Sequence, residues 1–198
     1  MGSLPTGYLV GKTKGIDIRK EGSGNIGATN AFRILGKRAG AFVLVVDALK
    51  GLAACLLVPP LIVSLFPNLA ERAPIFALIC GVGAILGHNY TCWLKFKGGK
   101  GIATSAGVLF ALAPAAAATI IVVWIVVVFT TRYVSLASIL AAASLPLAAW
   151  FWKNNTATIW VCVGLTCLAI YKHRSNIQRL VKGTEPRFGS KKKSKESK

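Results

Sequence analysis

The chain has 198 residues, 54% of them hydrophobic and only 15% charged, with a mean hydropathy of +0.59, which excludes an ordinary soluble domain. Its 24 Lys and Arg against 6 Asp and Glu give a net charge of +18. Such a charge suggests nucleic acid, but long apolar runs argue against a soluble basic domain, so membrane lipids with anionic headgroups and phosphorylated substrates are the expected partners and nucleic acid is not. The odd set of five cysteines, Cys55, Cys80, Cys92, Cys162 and Cys167, lies in or beside apolar stretches without a CxxC pair. They read as small buried hydrophobes, with no disulfide, metal or cofactor expected.

Taken in chain order, a polar N-terminal region ends in the first apolar run, Ala39 to about Pro59. Ala73 to Leu94, Pro114 to Thr131, Val134 to Trp152 and Ala157 to Tyr171 follow. Each has roughly the 17–25 apolar residues of a bilayer crossing, the last being the shortest. Gly101 to Pro114 is also apolar but shorter, and it decides the topology. Seven basic residues lie between Lys12 and Arg38, three between Lys95 and Lys100 and ten from Lys172 to Lys198. Lys and Arg collect in cytoplasmic loops, so all three regions are expected inside. Parity then requires Gly101–Pro114 to cross, with Arg132 inside and Lys153 outside; a re-entrant piece with one span missing gives the same parity. The expected architecture is an all-α polytopic membrane bundle of six transmembrane helices, one domain over residues 1–188. A disordered basic tail from Gly189, GSKKKSKESK, is expected to lie along anionic headgroups. Asp47 and Lys50, three apart within a span, read as an ion pair on one helical face that supports the site.

Nearly all the polar chemistry falls in the three basic regions: EGSGNIGATNAFR, GHNYTCWLKFKGGKG and YKHRSNIQRLVKGTE. Singly, the GSGN segment reads as a turn, Lys95, Lys97 and Lys100 as topology signals, and the tail bases as headgroup contacts. Together they make a phosphate site: glycine-bared amides form anion-binding nests, Ser, Thr and Asn add neutral donors, and Lys and Arg supply charge. The combination suits two anions. It is not a P-loop, because Gly101 stands where Ser or Thr is needed and Leu94 where the upstream glycine is needed.

SLPTGYLVGK, EGSGNIGATN, GHNYTCWLKFKGGKGIATS and YKHRSNIQRLVKGTE occur in the order and spacing of the bacterial acyl-phosphate:glycerol-3-phosphate acyltransferases, which the chain resembles over almost its whole length. The resemblance implies transfer of a fatty acyl group from acyl phosphate to the 1-hydroxyl of glycerol 3-phosphate, giving lysophosphatidate and phosphate at the cytoplasmic face of the bacterial inner membrane. It also implies a soluble enzyme that makes acyl phosphate as a partner.

By the same resemblance, Ser23, Gly24 and Asn25, with Thr29 and Asn30, bind the acyl-phosphate phosphate, helped by Ser3 and Arg33. Lys97, Gly98, Gly99, Lys100 and Gly101 form the cradle for glycerol 3-phosphate. His173 and Asn176 point at the reacting centre, and Glu185 orders neighbouring basic groups. The hydroxyl proton goes either to His173 or, the version we prefer for so activated a donor, to the acceptor's own phosphate. His88 reads as structural. The family has an apolar helix ahead of its Ser-x-Pro motif, for seven crossings in all, whereas Ser3-Leu4-Pro5 here follows the initiator; a late start, a trimmed chain or a member without that span is expected. A transporter for a phosphorylated anion is the alternative function; it calls for polar mid-spans and repeated halves.

Overall fold

The computed structural model describes residues 1–189, and every regular element among them is helical. Apart from Gly189 itself, the expected basic tail lies outside the described residues. The α-helices are α1 (Thr6–Thr13), α2 (Ala28–Ile34), α3 (Lys37–Leu65), α4 (Ala73–Asn89), α5 (Ile102–Leu112), α6 (Pro114–Thr131), α7 (Val134–Phe151), α8 (Thr156–Lys172) and α9 (Arg174–Val181).

Four stretches have the length and apolarity of a crossing, Lys37–Leu65, Pro67–Leu94, Pro114–Thr131 and Val134–Phe151; α8 with α9, bent by 57° at their junction, gives a fifth. Helix α5 has 11 residues, about 16 Å at 1.5 Å per residue, half the hydrocarbon thickness. Their outer faces are apolar, with Phe129, Leu147 and Trp160 between 69% and 82% exposed, as lipid-facing side chains are.

Of the six crossings expected, four stretches and one bent pair have the length and apolarity of a span, and α5 does not. The chain runs away from the glycine-rich loops along α3 and returns on α4. It then descends on α5, returns on α6, descends on α7 and returns on α8. Arg132, between α6 and α7, stands on the loop side, where its guanidinium donates to the Phe188 carbonyl oxygen at 3.1 Å. The turn at Ala113 and Pro114 lies at the other end, in a core with Ala116, Ala117, Ala148, Ala149 and Cys162.

Helix α3 differs from expectation at its end. It continues through Pro59 and Pro60 to Leu65, because neighbouring helices and local adjustment can satisfy the carbonyls a proline frees in a membrane helix. The cysteines differ too. Cys55 and Cys162 are buried, but Cys92 and Cys167 are exposed; all five are free. Close helix contact positions α5: a Cβ on Gly51 would stand 2.3 Å from the Thr104 carbonyl oxygen, and one on Gly107 would stand 1.9 Å from that of Ala48. Such bare-backbone approach is how helices associate where lipid offers no hydrophobic drive, and it fixes the start of α5 beside the loops.

Candidate active site

The polar loops converge. A cavity of about 190 Å³ is lined by Ser23, Gly24 and Asn25 from the first loop, Gly98, Gly99 and Lys100 from the second, and Lys172, Arg174, Ser175 and Arg179 from the α8–α9 junction. Four of those ten residues are cationic and none is acidic, so the cavity is built for anions.

The first loop is shaped from within. The Asn30 side chain is buried; its amide nitrogen donates to the carbonyl oxygens of Ile18, Glu21 and Asn25 at 3.2, 3.0 and 2.9 Å, while its oxygen accepts from the Ser23 amide at 3.0 Å. The Gly24 amide donates to the Glu21 carbonyl oxygen at 2.9 Å. The Gly27 amide donates to Asn25 Oδ1 at 2.8 Å. The Ser23 and Gly24 amides, expected to hold phosphate, are therefore engaged inside the loop. The loop lines the cavity with Ser23, Gly24 and Asn25, with Asn30 as organiser.

The second loop is docked onto the end of α4. Gly98 and Gly99 donate their amides to the carbonyl oxygens of Asn89 and His88 at 3.2 and 3.0 Å. A Cβ on Gly98 would stand 2.0 Å from the His88 carbonyl oxygen, and one on Gly99 2.1 Å from His88 Nε2. Bare backbone lets the loop lie on α4 and brings Lys100 into the cavity. Lys95 and Phe96, just before it, hold left-handed φ of 53° and 59°, a strained conformation of the kind that gathers at functional sites. Gly101, buried with φ +79°, opens α5.

A chain of bonds links the second loop to the C-terminal segment. Lys100 Nζ donates to Asn176 Oδ1. Asn176 Nδ2 donates to Glu185 Oε1 at 2.6 Å, and Arg179 Nε to Glu185 Oε2 at 2.7 Å. Burial alone would raise the Glu185 carboxyl; its polar neighbours hold it below the usual range. Among them the Ser135 hydroxyl faces the carboxylate without meeting hydrogen-bond geometry, whereas Asn176 and Arg179 are bonded to it. Burial also pushes Lys100 down to about 8, with the charges of Arg179, Arg33 and Lys172 acting in the same direction and Glu185 opposing.

His173 sits buried at the break between α8 and α9, with Nδ1 2.8 Å from the Ala169 carbonyl oxygen. A carbonyl only accepts, so the ring proton is on Nδ1 and Nε2 is an acceptor. Burial, reinforced by the Lys100 charge, pushes this imidazole down to about 4, so it is neutral at physiological pH.

Six of the residues singled out in the sequence line the cavity: Ser23, Gly24, Asn25, Gly98, Gly99 and Lys100. Asn176 and Glu185 reach it through hydrogen bonds. Thr29, Arg33 and Lys97 are exposed and outside the lining, although Arg33 is close enough to act on Lys100. Ser3 lies elsewhere, in a second cavity of about 290 Å³ against α3 and α4, with its carbonyl oxygen accepting from Thr91 Oγ1 at 2.5 Å. Sequence reasoning missed Lys172, Arg174, Ser175 and Arg179 as cavity residues. They stand in the same motif as His173 and Asn176, but the basic residues there read as contacts to lipid headgroups.

Comparison with known proteins places these loops in context. A family model described as glycerol-3-phosphate acyltransferase matches residues 1–183. A glycerol-3-phosphate acyltransferase of Desulforudis audaxviator (strain MP104C) is 48% identical over 193 residues, covering 97% of this chain and 92% of that protein. One from Bacillus velezensis (strain DSM 23117 / BGSC 10A6 / LMG 26770 / FZB42) is 45% identical over 189 residues, covering 95% and 92%. The crystal structure of PlsY (YgiH), an integral membrane glycerol 3-phosphate acyltransferase, in its glycerol 3-phosphate form superposes with a TM-score of 0.85 at 38% identity, covering 95% of this chain and 90% of that one. Its lysophosphatidic acid form gives a TM-score of 0.81 at 39% identity, with the same coverage.

Proposed function

The chain belongs to the glycerol-3-phosphate acyltransferase family, and from that premise we propose that it transfers a fatty acyl group from acyl phosphate to the 1-hydroxyl of sn-glycerol 3-phosphate. The observation that carries this reading is the single cationic cavity shared by three separate polar loops. Both substrates bear phosphate, the donor's acyl tail belongs in the leaflet, and the acceptor is a small anion arriving from the cytosol.

The reaction balances without a cofactor. The acceptor oxygen attacks the acyl carbonyl carbon, the bond from that carbon to the phosphate oxygen breaks, and inorganic phosphate leaves with its electron pair. The donor is a mixed anhydride, so the protein's tasks are to orient the hydroxyl, stabilise the oxyanion and neutralise the leaving phosphate. Ser23 and Asn25 supply neutral donors to the acyl-phosphate group, with Arg33 at the rim. Lys100 takes the glycerol 3-phosphate phosphate, and Asn176 and Glu185 hold its ammonium in place. Lys172, Arg174 and Arg179 neutralise the phosphate that departs. His173 Nε2 orients the hydroxyl by accepting its hydrogen bond. An imidazole held near 4 is a weak base, which favours delivery of the proton to the acceptor's own phosphate.

The positive-inside pattern puts the cavity on the cytoplasmic face of a bacterial inner membrane, where a soluble enzyme making acyl phosphate delivers the donor. Purified protein in vesicles, supplied with acyl phosphate and glycerol 3-phosphate, should form lysophosphatidate and phosphate in equal amounts. No lysophosphatidate, with uptake of glycerol 3-phosphate into the vesicles instead, would transfer the assignment to an anion carrier.

A further inference from the structure

Beneath the second loop lies a buried polar cluster that the chemistry above does not use. Lys50, in the middle of α3, donates from Nζ to Asp47 Oδ1 at 2.8 Å, to the Leu4 carbonyl oxygen at 2.9 Å and to His88 Nδ1 at 2.8 Å. Thr6 Oγ1 donates to the same Asp47 oxygen at 3.0 Å. Asp47, Lys50 and His88 are between 1% and 7% exposed, so the cluster is buried. A buried charge without partners is expensive, and here one ammonium finds three acceptors from three segments.

An ammonium can only donate, so His88 Nδ1 accepts and the ring proton sits on Nε2. That Nε2 edge is the wall on which the second loop rests: a Cβ on Gly99 would meet Nε2, Cε1 and Cδ2 of this ring at 2.1, 2.9 and 3.0 Å. No other atom stands among its three nearest neighbours. Lys50 thereby fixes the ring, the ring fixes Gly99, and Gly99 precedes the cavity lysine Lys100. The glycine at this position answers to the imidazole, not to a turn.

We propose that Lys50, Asp47 and His88 are positioning residues that set where Lys100 stands and so govern glycerol 3-phosphate binding. The proposal rests on the reading that the Lys100 loop takes the acceptor's phosphate. A displacement of about 1 Å in a positioned group can cost on the order of 100-fold in rate, which gives a remote ring this leverage.

The test is a double-mutant cycle on the full chain in vesicles, with KM measured for each substrate. His88→Asn keeps an acceptor near the Nδ1 position for Lys50 and removes the ring edge; Gly99→Ala puts a methyl group where that edge was. Each single variant should raise the KM for glycerol 3-phosphate about tenfold or more, while the acyl-phosphate KM stays within about threefold. The double variant should be no worse than the weaker single, because the methyl fills the space the ring has left. A second arm replaces Lys50→Met and Asp47→Leu together, which leaves no unpaired charge. It strands the Thr6 hydroxyl, the Leu4 carbonyl oxygen and His88 Nδ1, so the melting temperature should fall, and the glycerol 3-phosphate KM should rise while the acyl-phosphate KM stays within about threefold. Multiplying effects in the cycle, or an unchanged KM in this pair, overturns the proposal while wild-type turnover stands. Wild-type protein that forms no lysophosphatidate overturns the reading on which the proposal rests.

Discussion

The two glycine-rich loops at the cavity look alike in sequence and are built on opposite principles. In the first, Gly22 and Gly24 take left-handed φ of 60° and 69°, and the shape is held by Asn30, at most 12 residues away from any partner. Its shape is held by one side chain from within the loop and the helix that follows it. In the second, the glycines serve as gaps: Gly98 and Gly99 lie on the last turn of α4, bonded to carbonyls about ten residues back and pressed on a histidine ring. Glycine answers one demand through its backbone freedom and the other through its missing side chain. Damage to the first loop should therefore be graded, and damage to the second close to all-or-none.

The sharpest way to break this distinction is one methyl group in each loop. Gly98→Ala would press a Cβ to 2.0 Å from a backbone oxygen that cannot move without α4. The loop must lift and carry Lys100 with it, and kcat/KM should fall on the order of 100-fold or more. Gly24→Ala meets only the Arg19 carbonyl oxygen at 3.0 Å, with φ +69°. That strain costs about 1–2 kcal/mol, and the loss should stay near tenfold. Equal losses in steady-state assays of the two variants would erase the difference.

Asn30→Ala tests the local loop itself. It removes the side chain that satisfies three carbonyls and one amide. Each bond contributes about 1 kcal/mol net, but the loop is half-exposed and water replaces part of it. The expected stability loss is about 2–3 kcal/mol, seen as a melting shift of roughly 5–10 °C, with activity down about tenfold because Ser23 and Asn25 lose their frame. A variant as stable and active as the wild type would mean that Asn30 does not organise the loop.

How far the sequence carried the fold and the site follows from the same contrast. Apolar runs and basic loops are periodic and compositional signals, so the helical membrane bundle, the reversal near Pro114 and the loop-side position of Arg132 could be read from them, whereas the number of crossings could not, because α5 is too short to count as one by length. The end of α3 could not, since Pro59 and Pro60 read as a helix stop and a membrane helix tolerates them. The meeting of Ser23–Asn25 with Lys100 was legible because charge placed both loops on one face. The role of Asn30 was not, because a side chain that bonds three carbonyls looks in sequence like any other polar loop residue. Lys50 and Asp47 announced themselves as an ion pair by spacing, yet the third partner, His88, comes from another helix. Arg174 and Arg179 were hidden by a plausible second use for cations at a membrane surface.

The smallest expected effect separates the docked loop from its surroundings by pH. Lys100 is held near 8, against an ordinary value of 10.5, with burial as the largest cause. Folded protein therefore loses this proton near pH 8, while the unfolded chain keeps it to about 10.5. Between those values the unfolded state binds more protons, so this group's contribution to stability rises with pH. Acceptor binding has the opposite sign, because the phosphate needs the ammonium. The KM for glycerol 3-phosphate should climb roughly fivefold between about pH 7 and 8.6. Lys100→Arg should flatten the profile even if it weakens binding, since a guanidinium stays charged throughout. A flat profile in the wild type, or a rise that survives in Lys100→Arg, would show that some other group titrates and that the second loop does not deliver its lysine to the acceptor's phosphate.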